Sequence, residues 1–175
     1  MTDDSIIYIA AAFAARAHKH QLRKDKETPY VSHVFRVCMV VRHLFQIECP
    51  KVLAAALLHD TIEDTTTDYD DLEQHFGNDV ADWVVALTKD MRLPDAIREP
   101  AYAEAIAKAG WQVHICKLAD IYDNISDTIS LTDAQRKHTL GRAEKYLEEF
   151  AHIVAPEARR AYDIVSQRLQ EILKN

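Results

Sequence analysis

Four ionisable residues directly follow an apolar run in the segment ALLHDTIEDT, residues 56–65. His59 and Asp60 end the run, and Glu63 and Asp64 come shortly after them. Buried charges are costly unless they are paired or bind a metal. The rest of the chain is therefore expected to supply either partners for these groups or further ligands for a metal ion.

A second histidine is predicted to face the protein interior. His33 lies in a helix expected over residues 31–46, on the same face as Val37 and Val41. His43 is a weaker candidate for an inward position. A lone inward histidine is more often a hydrogen-bonded core residue than a metal ligand, so His33 becomes a ligand candidate only in combination with other residues.

A third group of candidates lies in KLADIYDN, residues 117–124. Lys117, Asp120 and Asn124 fall on one helical face because they are three and four residues apart. Taken alone, this face could simply be solvated. Combined with the two histidines and with the aspartate at the end of the apolar run, Asp120 completes a set that suits a divalent ion such as Mn, Fe, Zn or Ni with open positions for water. No thiolate is available, which argues against a structural zinc site.

The elements that must position these residues are helices almost everywhere, because apolar residues recur with helical periodicity. No strand alternation and no glycine-rich phosphate loop occur. The pattern predicts an all-α helical bundle with one core, a single domain over residues 1–175. Helices are expected over residues 4–20, 31–46, from Pro50, over 65–77, over 78–89 with Asn78 as the cap, over 95–109, over 111–129, from Thr132 to about 155, and from Pro156 to the end.

Composition and charge exclude several classes of function. The chain has 175 residues and a formal net charge of −7, which argues against general nucleic-acid binding. A local basic cluster could still hold a small phosphorylated ligand. Arg16 and His18 interrupt the N-terminal apolar stretch, so neither a signal peptide nor a membrane span is expected.

The three cysteines lack the spacing of a disulfide framework or a zinc site. Cys38, Cys49 and Cys116 each lie in an apolar context and are predicted to be reduced core residues. This usage is typical of a cytoplasmic protein. The sequence does not specify an oligomeric state.

The candidate ligands also carry a resemblance to a known family. His33, His59-Asp60 and Asp120 match the H…HD…D pattern of HD-domain metal-dependent phosphohydrolases. In order and spacing, three segments resemble the hydrolase domain of the RelA/SpoT alarmone proteins: AHKHQLRKDKETPYVSHVFRV, AALLHDTIEDTTT and KLADIYDN. Without a synthetase region, the chain resembles a stand-alone small alarmone hydrolase of the Mesh1 type over about residues 11–150.

The resemblance implies a metal centre and a reaction. The family reaction removes the 3′-pyrophosphate from guanosine tetra- or pentaphosphate and leaves GDP or GTP. Glu63 and Asp64 would position and activate the attacking water. One divalent ion, usually manganese in this family, would be held by His33, His59, Asp60 and Asp120.

The resemblance also implies a nucleotide site. Arg23 and Lys24, in the loop RKDKETPY, would lie against the base or ribose. Asn124 would contact the ribose, and Arg142 and Tyr146 would contribute to the same pocket. Without the resemblance, the basic loop could equally be a solvated turn between two helices.

Three positions depart from the family pattern. Ile121, Asp123 and Pro100 stand where relatives often carry basic or aromatic residues. These changes are predicted to remove positive charge around the pocket, and Arg98 remains a candidate phosphate contact. The preferred base, guanine or adenine, and the number of 5′-phosphates stay open.

Two alternatives to an alarmone hydrolase follow from the same residues. Another HD-domain nucleotide phosphohydrolase, such as a nucleotidase, would not need the basic loop. A non-catalytic nucleotide-sensing module would have no use for the acid pair Glu63 and Asp64. Both acids are present, which favours an enzyme.

Overall fold

Helices form the regular secondary structure of the computed structural model, which describes residues 5–128 and 131–174; one antiparallel bridge joins Leu22 and Pro29. The prediction of an all-α fold is confirmed. The predicted helix ends at residues 4, 129 and 175 lie outside the described residues. The α-helices are α1 (Ser5–Ala17), α2 (Val31–Met39), α3 (Pro50–Leu58), α4 (Thr61–Asp64), α5 (Tyr69–Phe76), α6 (Asn78–Leu87), α7 (Asp95–Lys108), α8 (Trp111–Ser126), α9 (Asp133–Ile153) and α10 (Arg159–Leu173), with a π turn at Val40–Leu44 and a 3₁₀ turn at Pro156–Ala158.

Two apolar helices occupy the centre of the bundle. Every residue of α3 from Val52 to Leu58 is buried, and α8 packs against α2, α3, α6, α9 and α10. Fully burying one leucine side chain stabilises a fold by about 1.5–3 kcal/mol. The packed core therefore holds the end of α3 and the polar face of α8 at defined positions.

The break between α3 and α4 determines where the first acidic group points. α3 ends at Leu58, and α4 begins at Thr61, whose Oγ1 donates to the Leu58 carbonyl oxygen at 2.7 Å. Between them, Asp60 has φ −101° and ψ 0°, outside the regular helical region. On a regular helix, neighbouring side chains point about 100° apart. The turn allows His59 and Asp60 to face the same centre.

Two predictions about the second helix and its surroundings are wrong. His43 is exposed, because α2 gives way after Met39 to a π turn in which the Phe45 N–H donates to the Val40 carbonyl oxygen. Cys49 is exposed as well. It precedes Pro50 with an extended backbone, as the residue before a proline usually does, and so lies outside the helix and outside the core.

The predicted cap of α6 is also wrong. Gly77, with φ +81°, is the residue before the helix, and Asn78 is the first helical residue. The Asn78 side chain donates to Glu73 Oε1 at 2.5 Å instead of capping the backbone. The start of α9 agrees with its prediction, because Thr132 caps the helix together with Gln135.

None of the helices in the described ranges combines the length and the apolar character required to cross a bilayer.

Candidate metal centre and active site

The four predicted metal ligands meet at one position in the bundle. His33 comes from α2, His59 and Asp60 from the break after α3, and Asp120 from α8. His33 Nε2 lies 3.3 Å from Asp120 Oδ1 and 3.5 Å from Asp60 Oδ2. His59 Nε2 lies 3.0 Å from Asp60 Oδ2 and 3.9 Å from Asp120 Oδ1. Ligand atoms of His33, His59 and Asp60 all lie within 4.8 Å of one another.

Hydrogen bonds at the far side of both rings leave the Nε2 atoms for this centre. His59 Nδ1 donates to the Ala56 carbonyl oxygen at 2.9 Å, and His33 Nδ1 donates to Asp123 Oδ2 at 2.7 Å. His59 Nε2 is buried, and despite its short distance to Asp60 it makes no hydrogen bond of acceptable geometry. A buried ring nitrogen without a hydrogen-bond partner, beside two carboxylates, fits the donor set of a divalent metal site.

The electrostatics of the centre favour ionised carboxylates. Burial raises the pKa of Asp120, but the Lys117 ammonium at 2.9 Å and the His33 imidazole outweigh it and lower the pKa well below its usual value. Burial likewise opposes ionisation of Asp60, but in the metal-free protein the charge of protonated His59 and a hydrogen bond from His33 reverse that effect, so its pKa is also lowered. Tyr30 Oη donates to Asp60 Oδ2 at 2.6 Å. Both carboxylates are thus kept negative, as metal ligands must be.

The two acids of α4 have the opposite electrostatic character. Burial, followed by the nearby negative charge of Asp60, raises the pKa of Glu63 against the effect of a hydrogen bond from the Lys89 backbone. Partial desolvation and the charge of Asp60 also raise the pKa of Asp64, whose side chain lies nearer the surface. A carboxylate with a raised pKa is suited to accept and return a proton near neutral pH.

A cavity of about 190 Å³ connects the metal ligands with both acids. The metal residues, Glu63 and Asp64 line it together with Asn124 and Arg142. An adjoining cavity of about 130 Å³ shares Asn124 and Arg142 and is also lined by Lys24 and Tyr146. Four of the predicted substrate-binding residues therefore line these two cavities beside the metal ligands: Lys24, Asn124, Arg142 and Tyr146.

Arg23 does not line these two cavities, and its guanidinium is already paired. Its Nη2 donates to Asn124 Oδ1 and to Asp127 Oδ2, both at 3.2 Å, and its guanidinium lies 5.6 Å from the centre of the Tyr30 ring. Together with Lys24 it lines a small cleft against α8. These contacts anchor the basic loop beside the metal centre.

Arg98 lies farther away. It lines a larger cavity of about 670 Å³ that shares Arg142 and Tyr146 with the first group. Its guanidinium pairs with Asp95 on its own helix and donates to the Leu93 carbonyl oxygen at 3.3 Å. The structure therefore places Arg98 beside the nucleotide-side residues and away from the metal ligands.

Lys89 is a buried lysine at the cavity wall that was not among the predicted site residues. Lys89 is 7% exposed, and its Nζ donates to both oxygens of Glu99 and, at 2.6 Å, to Tyr146 Oη. The ammonium also lies 4.9 Å from the centre of the Tyr102 ring. The helix expected over residues 78–89 includes Lys89, but α6 ends at Leu87, so helical spacing does not indicate where this side chain lies. His138, on α9, is a second cavity residue that was missed.

Asp123 was interpreted as a loss of positive charge at the pocket, and that interpretation is wrong. It is 4% exposed and faces the interior, where it contacts His33 and Arg36. One signal could have located it. Asp123 is three residues after Asp120, so both carboxylates share one face of α8.

Comparisons with known proteins agree with the fold. The HD domain family model matches residues 10–160. Guanosine-3′,5′-bis(diphosphate) 3′-pyrophosphohydrolase MESH1 from Homo sapiens is 37% identical, covering 95% of this chain and 89% of that protein. MESH1 from Xenopus tropicalis is 42% identical over 72% of this chain and 71% of its own length. A solved structure of a metazoan SpoT orthologue that hydrolyses ppGpp has a TM-score of 0.82 at 31% identity, covering 99% of this chain and 97% of that one.

Proposed function

This chain belongs to the HD domain family, and from that premise we propose that it is a metal-dependent hydrolase of the 3′-pyrophosphate of guanosine tetra- and pentaphosphate. The products would be pyrophosphate and GDP or GTP. One HD-type domain over residues 1–175, acting in the cytoplasm, would carry the whole activity. One observation above all supports the proposal. The candidate metal ligands and the acid pair line a single cavity that opens toward basic residues.

His33, His59, Asp60 and Asp120 would hold one divalent ion, with manganese as the proposed metal. Such an ion lowers the pKa of a bound water and offsets negative charge on phosphoryl oxygens. The imidazole Nε2 atoms and the two carboxylates supply the mixed nitrogen and oxygen donors that suit a divalent metal of the first transition row, and the carboxylates in particular suit manganese.

Glu63 and Asp64 would carry out the proton transfers of the reaction. Glu63, held by the Lys89 backbone N–H at 2.8 Å, would orient the attacking water and accept its proton on the free carboxylate oxygen, Oε1. Asp64, nearer the cavity mouth, would assist in positioning the water or in returning a proton to the 3′-oxygen that leaves. The raised pKa of both carboxyls supports such a role.

Local cations would offset the charge of the substrate in a protein of net charge −7. Burial, then the neighbouring charges of Arg23 and Arg142, lower the pKa of Lys24, so that an approaching anion would relieve repulsion among three cations. Arg23 and Lys24 would contact the base or ribose, Asn124 the ribose, and Arg142 and Tyr146 the rest of the nucleotide. Arg98, in the larger adjoining cavity, would contact a phosphate group.

A panel of nucleotides tests the proposed function. Purified protein with Mn²⁺ is incubated with guanosine and adenosine nucleotides that carry a 3′-pyrophosphate, and with 5′-nucleotides that lack it. We expect pyrophosphate release only from the 3′-pyrophosphorylated compounds, and none after chelation of the metal. Hydrolysis of simple 5′-nucleotides at an equal rate would instead indicate a general nucleotidase.

A further inference from the structure

A partly buried ionic cluster contacts His33 at Nδ1, on the opposite edge of the ring from the Nε2 that faces Asp60 and Asp120. Arg36 Nε donates to Asp123 Oδ1 at 2.6 Å, and Arg36 Nη2 donates to Asp123 Oδ2 at 2.9 Å. The same Asp123 Oδ2 accepts the 2.7 Å hydrogen bond from His33 Nδ1. Three donors therefore converge on a single carboxylate.

Two helices build this cluster with the same spacing. On α2, Arg36 follows the candidate ligand His33 by three residues, and on α8, Asp123 follows the candidate ligand Asp120 by three residues. Residues three apart on a helix share a face. Each helix thus presents one metal-facing residue and, one turn later, one member of the supporting pair.

We propose that Asp123, clamped by Arg36, is a positioning residue that holds His33 in the tautomer and orientation required for metal binding. This inference rests on the metal-dependent function proposed above. An ionised carboxylate offers only acceptors, so Asp123 holds a ring proton of His33 on Nδ1 and reserves Nε2, the nitrogen that faces Asp60 and Asp120, for a metal ion. The guanidinium compensates the buried charge of Asp123, which is otherwise costly.

The arrangement also explains why an amide cannot replace this carboxylate. Asparagine at position 123 would set one NH₂ group against at least one of the three converging donors. Either the Arg36 clamp would weaken, or the amide would donate to His33 Nδ1 and shift the ring proton to Nε2. A weaker clamp would let the His33 ring change its orientation. A proton on Nε2 would occupy the nitrogen that is proposed to bind the metal.

Asp127, the residue that directly follows α8, provides a matched control. Its Oδ2 accepts from Arg36 Nη2 at 2.7 Å and from Arg23 Nη2 at 3.2 Å. It thus shares the Arg36 contact with Asp123, but among the described residues its side chain accepts from the two arginines and not from His33. An Asp127→Asn variant alters the same ionic cluster without touching the ring.

The test measures Mn²⁺ binding to the full chain by electron paramagnetic resonance, in which free hydrated Mn²⁺ gives a sharp signal that broadens on binding. We expect Asp123→Asn to weaken Mn²⁺ binding by about tenfold to a hundredfold, the usual effect of losing a partner of a metal ligand. Asp127→Asn should bind Mn²⁺ as the wild type does. At saturating Mn²⁺, Asp123→Asn should regain turnover, with an unchanged KM for the nucleotide.

Wild-type Mn²⁺ affinity in Asp123→Asn, or an equal loss in Asp127→Asn, would overturn the inference. If Asp123→Asn does not fold, Arg36→Gln carries the test, and it should bind Mn²⁺ more weakly than Asp127→Asn; equal binding overturns the inference. If the wild-type protein binds no Mn²⁺, both the inference and the proposed Mn²⁺ site are wrong. If Mn²⁺ binding follows this pattern but the protein hydrolyses no nucleotide, the inference about Asp123 stands and the proposed function is wrong.

Discussion

The backbone N–H of Lys89 donates a 2.8 Å hydrogen bond to Glu63 Oε2, which ties the acid of α4 to the segment that follows α6. The bond fixes one carboxylate oxygen and leaves Oε1 for a water molecule. Because Glu63 is not among the proposed metal ligands, its chemical role can be separated from metal binding.

Glu63→Gln should therefore retain the metal and lose turnover. Glutamine keeps an oxygen for the Lys89 N–H but cannot accept a proton, and loss of general acid–base help costs roughly 10²–10⁴-fold in rate. Asp64→Asn should reduce turnover in the same direction. Metal content and turnover of the two variants check this prediction, and near-normal turnover in both would assign water activation to other groups.

Asp60→Ala should abolish metal retention while the helical fold persists. The variant removes the carboxylate that lies 3.0 Å from His59 Nε2 and 3.5 Å from His33 Nε2. Metal analysis after dialysis and far-ultraviolet circular dichroism measure the two properties. A variant that keeps one equivalent of metal would show that Asp60 is not a ligand.

Arg23→Ala should impair nucleotide use mainly through binding. A hydrogen bond to a charged group contributes about 1.5–3 kcal/mol, so kcat/KM should fall roughly tenfold to a hundredfold. Simple phosphomonoesters, too small to reach the loop, provide the internal control and should be almost unaffected. Unchanged hydrolysis of the 3′-pyrophosphate would identify the RKDKETPY loop as a solvated turn.

The pH dependence of stability should report the buried Glu63 in the metal-free protein. Burial raises its pKa above the ordinary value of 4.5, so ionised Glu63 destabilises the folded state at neutral pH and that cost vanishes below pH 4.5. The free energy of unfolding of Glu63→Gln, minus that of the wild type, should therefore be larger at pH 7 than at pH 4. Urea unfolding of chelator-treated proteins measures the difference. A stability difference that does not change between the two pH values would show that the carboxyl has no raised pKa.

Leu53→Ala should destabilise the whole bundle, because Leu53 is fully buried on α3. Removing such a side chain from a packed core costs about 2–5 kcal/mol. Val85→Ala, at a position that is 45% exposed on α6, is the control and should change the unfolding free energy by about 0.5 kcal/mol or less. Equal losses in the two variants would contradict the description of α3 as the central helix.

The helices could be predicted because apolar periodicity is a local pattern, whereas the proximity of the candidate ligands was implied by the family resemblance. Apolar periodicity located α2, α3 and α8, and three quoted segments carried the HD-type spacing. The break at Asp60 and the π turn after Met39 have no comparable local signal. His43 lies in that π turn, which is why its predicted inward position was wrong.

Contacts between distant segments could not be predicted from spacing. Arg36 and Asp123 are 87 residues apart, and the pairing depends on how α2 packs against α8. Lys89 shows the same limitation, because its partners Glu99 and Tyr146 come from α7 and α9. Tertiary packing decides whether such a charge is buried and paired or solvated.

The products formed from guanosine tetraphosphate in water labelled with heavy oxygen show which phosphorus atom the water attacks. With Mn²⁺ present, we expect GDP and pyrophosphate in equal amounts. The heavy oxygen should be in the pyrophosphate, because water is proposed to attack the phosphorus bound to the 3′-oxygen. Orthophosphate as the only product, label in the nucleotide, or no reaction at all would contradict the proposed reaction.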